Sequence, residues 1–131
     1  MNTIETKMKT ILVVDDDPVI CEFLNALLTR DDFQVISTFR SRETLNLLRH
    51  GSYLKFDLLI TDLQMPGYGG YSIIKDMQKE GYQNTPVLVL TGQDLDPGTV
   101  EIISREPNVR GLIKKPVSAA ELRLKVHELL G

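Results

Sequence analysis

Short apolar runs rich in β-branched and aromatic residues recur five times along the chain, at residues 10–14, 33–37, 56–61, 86–90 and 109–113. Each has the length and composition of a buried strand. Segments with helical spacing separate them. Ile20, Phe23, Leu24, Leu27 and Leu28 form one stripe behind Asp17 as N-cap and Pro18 at the first helical position. Ser41 is placed to cap a second helix that carries Leu45 and Leu48 and ends near Gly51. Residues 71–80 carry Ile73, Ile74 and Met77 and stop at Gly81, and Ser118-x-x-Glu121 is a capping box before Leu122, Val126, Leu129 and Leu130. The fourth helix opens at Asp96-Pro97 but contains Gly98, Thr99, Val100, Ile102 and Ile103, all poor helix formers, and Pro107 cuts it off. It is predicted to be short and held mainly by packing.

The pattern is strand–helix repeated five times, which predicts an α/β fold: a parallel five-stranded sheet covered by helices on both faces, in three layers. Ligands bind such sheets beyond the carboxyl ends of the strands, where the strand order reverses. For the flavodoxin-like order 2-1-3-4-5 that point lies between strands 1 and 3. Residues 1–9 read as a polar lead-in and residues 10–131 as one domain. A net charge of −3 gives no basic field for nucleic acid or anionic membrane. One cysteine, Cys21, excludes an intrachain disulfide and suits a reducing cytosol, and no apolar stretch reaches membrane-spanning length. Cys21 itself reads as a small core residue near the edge of the first helix's stripe.

The candidate chemistry sits at the strand ends. Asp15, Asp16 and Asp17 follow the first strand and Asp62 the third, so the topology converges acids that lie far apart in sequence. Carboxylates brought together repel one another unless a divalent cation neutralises them. Thr91 ends the fourth strand, and Lys114 and Lys115 end the fifth. Acid, hydroxyl and ammonium on one rim form a phosphoryl-handling set, with a carboxylate as nucleophile and a cation and lysine neutralising the phosphoryl oxygens. Asp17 is assigned to the helix cap. Lys114 is expected to point away from Lys115, because alternate residues face opposite sides. His50, His127, Met65 and Tyr68 are assigned packing or surface roles.

Four ordered segments, ILVVDDDP, LLITDLQMPGYGG, VLVLTG and GLIKKP, resemble the receiver domain of two-component response regulators over roughly residues 8–130. The resemblance implies that Asp62 is the phospho-acceptor, served by a sensor histidine kinase or phosphotransfer protein. It implies Mg²⁺ held by Asp16 directly, by Asp15 mainly through water, by Asp62 and by the backbone carbonyl of Gln64. Thr91 matches the family's hydroxyl residue, and Lys115, before Pro116, its lysine in a usually cis Lys–Pro bond. A downstream protein target or fused output domain is implied, and a phosphorylation-dependent homodimer is left open. No output domain follows Gly131, so the chain reads either as a stand-alone receiver or as one domain of a longer protein.

Where many receivers carry an aromatic ring three residues before the lysine, this chain has Leu112, and where alanine commonly follows the threonine it has Gly92. Leucine cannot reproduce the swing of a polar-tipped ring, so Thr91 and Leu112 are expected to switch the output surface by remodelling the weak fourth helix and fifth strand. Gly92 is expected to add backbone freedom. Gln64 and Gln93 stand two residues past Asp62 and Thr91, positions that in this family influence how fast the phosphoryl group is lost. Two other readings stay open. Asp15-x-Asp17 also resembles the opening motif of haloacid-dehalogenase-type phosphatases, with Asp15 as nucleophile and Asp17 as acid/base, but no acidic pair follows the lysine outside a helix and Asp62 has no role there. A pseudo-receiver binding partners without phosphorylation would not need the full set of rim residues.

Overall fold

A computed structural model describes residues 8–50, 55–64, 69–92 and 94–131. The elements alternate as β1 (Thr10–Val14), α1 (Pro18–Arg30), β2 (Gln34–Thr38), α2 (Ser41–His50), β3 (Leu58–Asp62), α3 (Gly70–Lys79), β4 (Val87–Thr91), α4 (Pro97–Ser104), β5 (Val109–Lys114) and α5 (Ala119–Leu130). All strands pair in parallel, in the order β2-β1-β3-β4-β5, which is the expected flavodoxin-like sheet. β2, β3, β4 and β5 each run one residue further than apolar content suggests. The ladder decides: Thr38 pairs with Val14, Asp62 with Leu90 and Thr91 with Lys114. Consequently Asp62 and Thr91 are held as strand residues, not as loop residues.

Strand side chains alternate between two cores. Leu12, Val14, Leu59, Val87 and Val89 pack with Leu48 of α2, Ile73, Ile74 and Met77 of α3 and Ile103 of α4. Ile11, Val13, Leu58, Ile60, Leu88, Leu90 and Ile113 pack on the other face with Cys21, Leu24 and Leu28 of α1 and Leu122 and Val126 of α5. This corrects the sequence reading of α1. Cys21, Leu24 and Leu28 are the buried line, whereas Phe23 lies outside it and is 38% exposed. The stripe is centred on Cys21, so that residue belongs to its middle.

Helix ends follow local chemistry. Asp17 caps α1 by accepting from the Val19 N–H at 2.9 Å, with Pro18 at the first position. Asp96 caps α4 and Ser118 caps α5, accepting from Thr99 N–H and Glu121 N–H. α2 begins at Ser41 itself, one residue earlier than a Ser41 cap would place it, and Gly51 lies outside the described residues. α4 has the expected brevity, eight residues, but packing is not its whole support. In the turn after it, Glu106 accepts from Gln78 Nε2 at 2.9 Å, Lys75 Nζ at 3.2 Å and Tyr71 OH at 3.4 Å, all on α3. Gln78 also donates to the buried Asn108, which donates to Ile74 O. The Gln78 and Lys75 bonds hold the Glu106 carboxyl below its usual range against the opposing cost of burial.

A second polar seam joins the ends of α1 and α5. Arg123 grips Asp31 with Nε and Nη2 at 2.8 and 3.0 Å, and His127 Nε2 lies 3.0 Å from the same carboxylate. The Arg123 bonds, then that of His127, hold the Asp31 carboxyl below its usual value. A carboxyl depressed in the folded state stabilises above its unfolded pKa, and that contribution disappears as pH falls through the folded pKa. The loss is therefore expected below about pH 4. Urea midpoints measured at about pH 7 and about pH 3 should converge between wild type and Asp31→Asn. A constant gap would rule the seam out as a pH-dependent contributor. Among the described residues no helix is long and apolar enough to cross a membrane.

Candidate functional site

The carboxyl ends of β1, β3 and β4 and the turn after β5 meet on one rim, because the sheet order makes β1 and β3 neighbours. Asp15 leaves β1 fully buried, its backbone N–H donating to Thr38 O at 3.2 Å. Its Oδ1 accepts from the Asp17 N–H at 2.9 Å. The aspartate run is thus tied in a turn whose last member caps α1. Asp62 ends β3, also buried, and its Oδ1 accepts from the Gln64 N–H at 3.0 Å. Its Oδ2 receives Lys115 Nζ at 3.0 Å. Lys115 is delivered by its own backbone, whose N–H donates to Thr91 O at 2.8 Å, and its bond to Pro116 is cis. Thr91 is buried at the end of β4, one strand over. Lys114 is exposed, as the alternation predicts.

Lys115 Nζ also lies 3.3 Å from Asp15 Oδ2. That oxygen is buried, and the lysine is its one charged neighbour at ion-pair distance among the described residues. Burial pushes the Asp15 carboxyl up, while the Asp17 N–H and Lys115 pull against it and Asp62 adds to it. Burial lowers the Lys115 ammonium's pKa, but its bond to Asp62 and the charges of Asp15 and Asp62 outweigh this and raise it. The lysine is a fixed cation.

Oxygens of Asp15, Asp16 and Asp62 all lie within 4.8 Å of one another, with Asp16 the exposed member. Two carboxylates that close repel by roughly 3 kcal/mol at an effective dielectric near 20. One lysine balances one of the three charges, and a rim of hard oxygen donors with net negative charge remains. Such a set fits a divalent cation of the Mg²⁺ type. Cys21 lies directly beneath, its thiol donating to Asp15 O at 3.4 Å, and burial with the nearby Asp15 charge pushes its pKa up to about 11. It stays a neutral thiol and a packing residue.

Two site features are not evident from sequence spacing. A Cβ on Gly70, the first residue of α3, would stand 2.3 Å from Asp62 O, so the helix starts in backbone contact with the candidate acceptor. The GG pair before the helix was the available signal, since consecutive glycines at an element's start mark close approach. Gln64 reaches across to Gly92, whose φ is not positive. Gly92 therefore supplies space here, and no unusual backbone conformation is being accommodated. Leu112 lies on β5 opposite Val89, partly buried against the core that contains Ile103 of α4. Gln93, Met65, Tyr68 and the His50 side chain lie outside the described residues. His127 has the packing role assigned to it, with its ring 5.4 Å from that of Phe33.

Residues 11–127 match the family model described as the response regulator receiver domain. Response regulator SaeR of Staphylococcus aureus is 27% identical over 123 residues, covering 94% of this chain and 51% of SaeR. The chain thus spans about half the length of the curated relatives it matches. A putative response regulator from Chloroflexus aurantiacus superposes with a TM-score of 0.82 at 29% identity, covering 95% of this chain and 98% of that one. Vibrio cholerae chemotaxis protein CheY4 gives a TM-score of 0.80 at 23% identity, over 94% and 99% of the two chains, a likeness of fold.

Proposed function

Because the chain belongs to the response regulator receiver family, we propose that Asp62 accepts a phosphoryl group from the phosphohistidine of a sensor histidine kinase or phosphotransfer protein. One observation carries this reading: the buried Asp62 carboxylate is paired at 3.0 Å with a lysine that also faces Asp15. An Asp62 oxygen attacks phosphorus in line. The new P–O bond forms as the P–N bond to the donor imidazole breaks, and the electron pair stays on that nitrogen. Lys115 Nζ neutralises charge on the phosphoryl oxygens, and the Thr91 hydroxyl hydrogen-bonds one of them. Asp16, Asp62, the Gln64 carbonyl and, mainly through water, Asp15 would hold a Mg²⁺, which supplies further charge neutralisation.

The chain thereby catalyses only its own phosphorylation and dephosphorylation, and turns over no external metabolite. The acyl phosphate then shifts a two-state output surface formed by α4, β5 and α5, read by a downstream protein or a fused domain in the cytoplasm. With Leu112 in place of a ring, the shift runs through Thr91 and the α4–β5 segment. Intact mass spectrometry after acetyl phosphate and Mg²⁺ should show one labile adduct on Asp62, lost when the metal is chelated. Amide exchange across residues 92–112 should change with it, and unchanged protection there would count against the α4–β5 route. An adduct that depends on Asp15 as nucleophile would favour the phosphatase-type reading, and no adduct the pseudo-receiver.

A further inference from the structure

β2 is an edge strand, paired with β1 alone, and of its five residues only the last, Thr38, is buried. That residue is polar. Its Oγ1 lies 2.7 Å from the Oγ1 of Thr44 in the first turn of α2, and the two residues are 1% and 0% exposed. Thr44 has a single hydroxyl hydrogen, which it donates to Arg40 O at 3.0 Å. The polarity of the pair follows: Thr38 donates to Thr44, which donates to Arg40. A hydroxyl this deeply buried is costly without a partner, so each oxygen holds the other in one arrangement. Thr38 also reaches the rim. Its carbonyl accepts the Asp15 N–H at 3.2 Å, one step past the β1–β2 ladder, which ends at Val14 and Thr38. The β1–β3 ladder ends before Asp15 as well, at Val14 and Thr61. The Asp15 amide therefore hangs on the end of an edge strand, and the ends of elements open most readily. The Asp15 carbonyl accepts the Cys21 thiol at 3.4 Å, a weak donor.

We infer that Thr38 and Thr44 are positioning residues for the metal rim: their buried tie pins the end of β2 to α2 and so fixes the backbone of Asp15 where its carboxylate can serve Mg²⁺. This rests on the reading of Asp15, Asp16 and Asp62 as the metal set proposed above. Without the tie, the end of β2 is free to part from β1 and takes with it the acceptor of the Asp15 N–H. The carboxylate must then be ordered anew each time an ion binds, which weakens binding although no ligand has been removed.

The hydroxyls can be removed with little change of shape in Thr38→Val, Thr44→Val and the double variant, and stability and positioning then diverge. Thr44→Val strands the buried Thr38 hydroxyl and should lower the urea midpoint most. The double variant, with neither hydroxyl left, should recover much of that loss. Mg²⁺ binding, measured by titration calorimetry with no phosphodonor present, should instead weaken by about tenfold in all three, the lower end of what hydrogen-bonded supports of metal ligands contribute. The double variant should bind no more weakly than either single one, because the same tie is broken in each. The Mg²⁺ concentration for half-maximal loading by acetyl phosphate should rise by the same factor. Wild-type Mg²⁺ affinity in any of the three, or affinities that track the midpoints across the four proteins, would overturn the inference and leave Asp62 as acceptor. A wild-type protein that binds no Mg²⁺ would overturn the metal reading and the inference together.

Discussion

Asp62→Asn is expected to abolish phosphoryl loading and leave a folded protein. An amide is a far weaker nucleophile than a carboxylate, and the substitution also removes one of the three negative charges from the candidate metal set. Asp15 is not placed to take over the covalent step: it is enclosed at the base of the site, its Oδ1 committed to the Asp17 N–H and its Oδ2 facing Lys115. The fold should not suffer, because Lys115 keeps Asp15 at 3.3 Å and one like-charge repulsion disappears. That repulsion is worth up to roughly 3 kcal/mol before screening, so the variant should be as stable as wild type or more so. Intact mass after acetyl phosphate and Mg²⁺, with urea midpoints on the same samples, checks both halves. A wild-type yield of adduct in Asp62→Asn would remove Asp62 from the centre of the chemistry.

Gly70→Ala should show the largest loss of stability from a single methyl group in this protein. Glycine-to-alanine within a helix ordinarily gains about 1 kcal/mol. Here the new Cβ would lie 2.3 Å from Asp62 O and 3.1 Å from Asp62 C and Leu63 Cα, all of them backbone atoms that cannot rotate away. Relief requires moving the start of α3 away from the end of β3, and overpacking of this kind costs about 1–3 kcal/mol, occasionally more. The overpacking term wins, partly because the first helical turn gains least from alanine. The urea midpoint should fall at constant slope. Since the clash is with the carbonyl of Asp62 itself, the proposed loading of Asp62 should slow as well. A midpoint at or above that of wild type would show that α3 docks with more slack than its contacts imply.

Much of this was legible in the sequence, and the boundary is a physical one. Short continuous apolar runs and helical stripes are local signals, so five strands, five helices and their alternation could be read directly, and alternation implies a parallel sheet. Asp15, Asp16, Asp62, Thr91 and Lys115 were legible because each stands at the end of an apolar run, which the topology converts into one rim. What remained hidden depends on contacts made across the fold. Arg123 and His127 meet Asp31 from positions 92 and 96 residues away, and Glu106 is met by three residues of α3. No periodicity announces such pairs. Phe23 was misplaced for a related reason: a helix stripe is wider than the line its neighbours bury, and only the sheet shows which edge is left out. The closeness of Gly92 to Gln64, where a Cβ would stand 2.8 Å from Oε1, is another contact made across the fold.

The position of β1 between β2 and β3 has a consequence for how the chain comes together. The first strand of the sheet in chain order is covered on both edges, and its partners lie well downstream. Thr10 bonds to Gln34, 24 positions on, and to Asp57, 47 positions on. Neither pairing is a hairpin, so loop closure must precede any ladder, and such non-local parallel topologies fold more slowly than helical bundles of the same size. During synthesis, a nascent chain that has not yet delivered residues 58–62 exposes β1, apolar from Ile11 to Val14, with one edge open. The arrangement that gathers the acids onto one rim therefore leaves the growing polypeptide prone to association until Asp62 and its strand emerge.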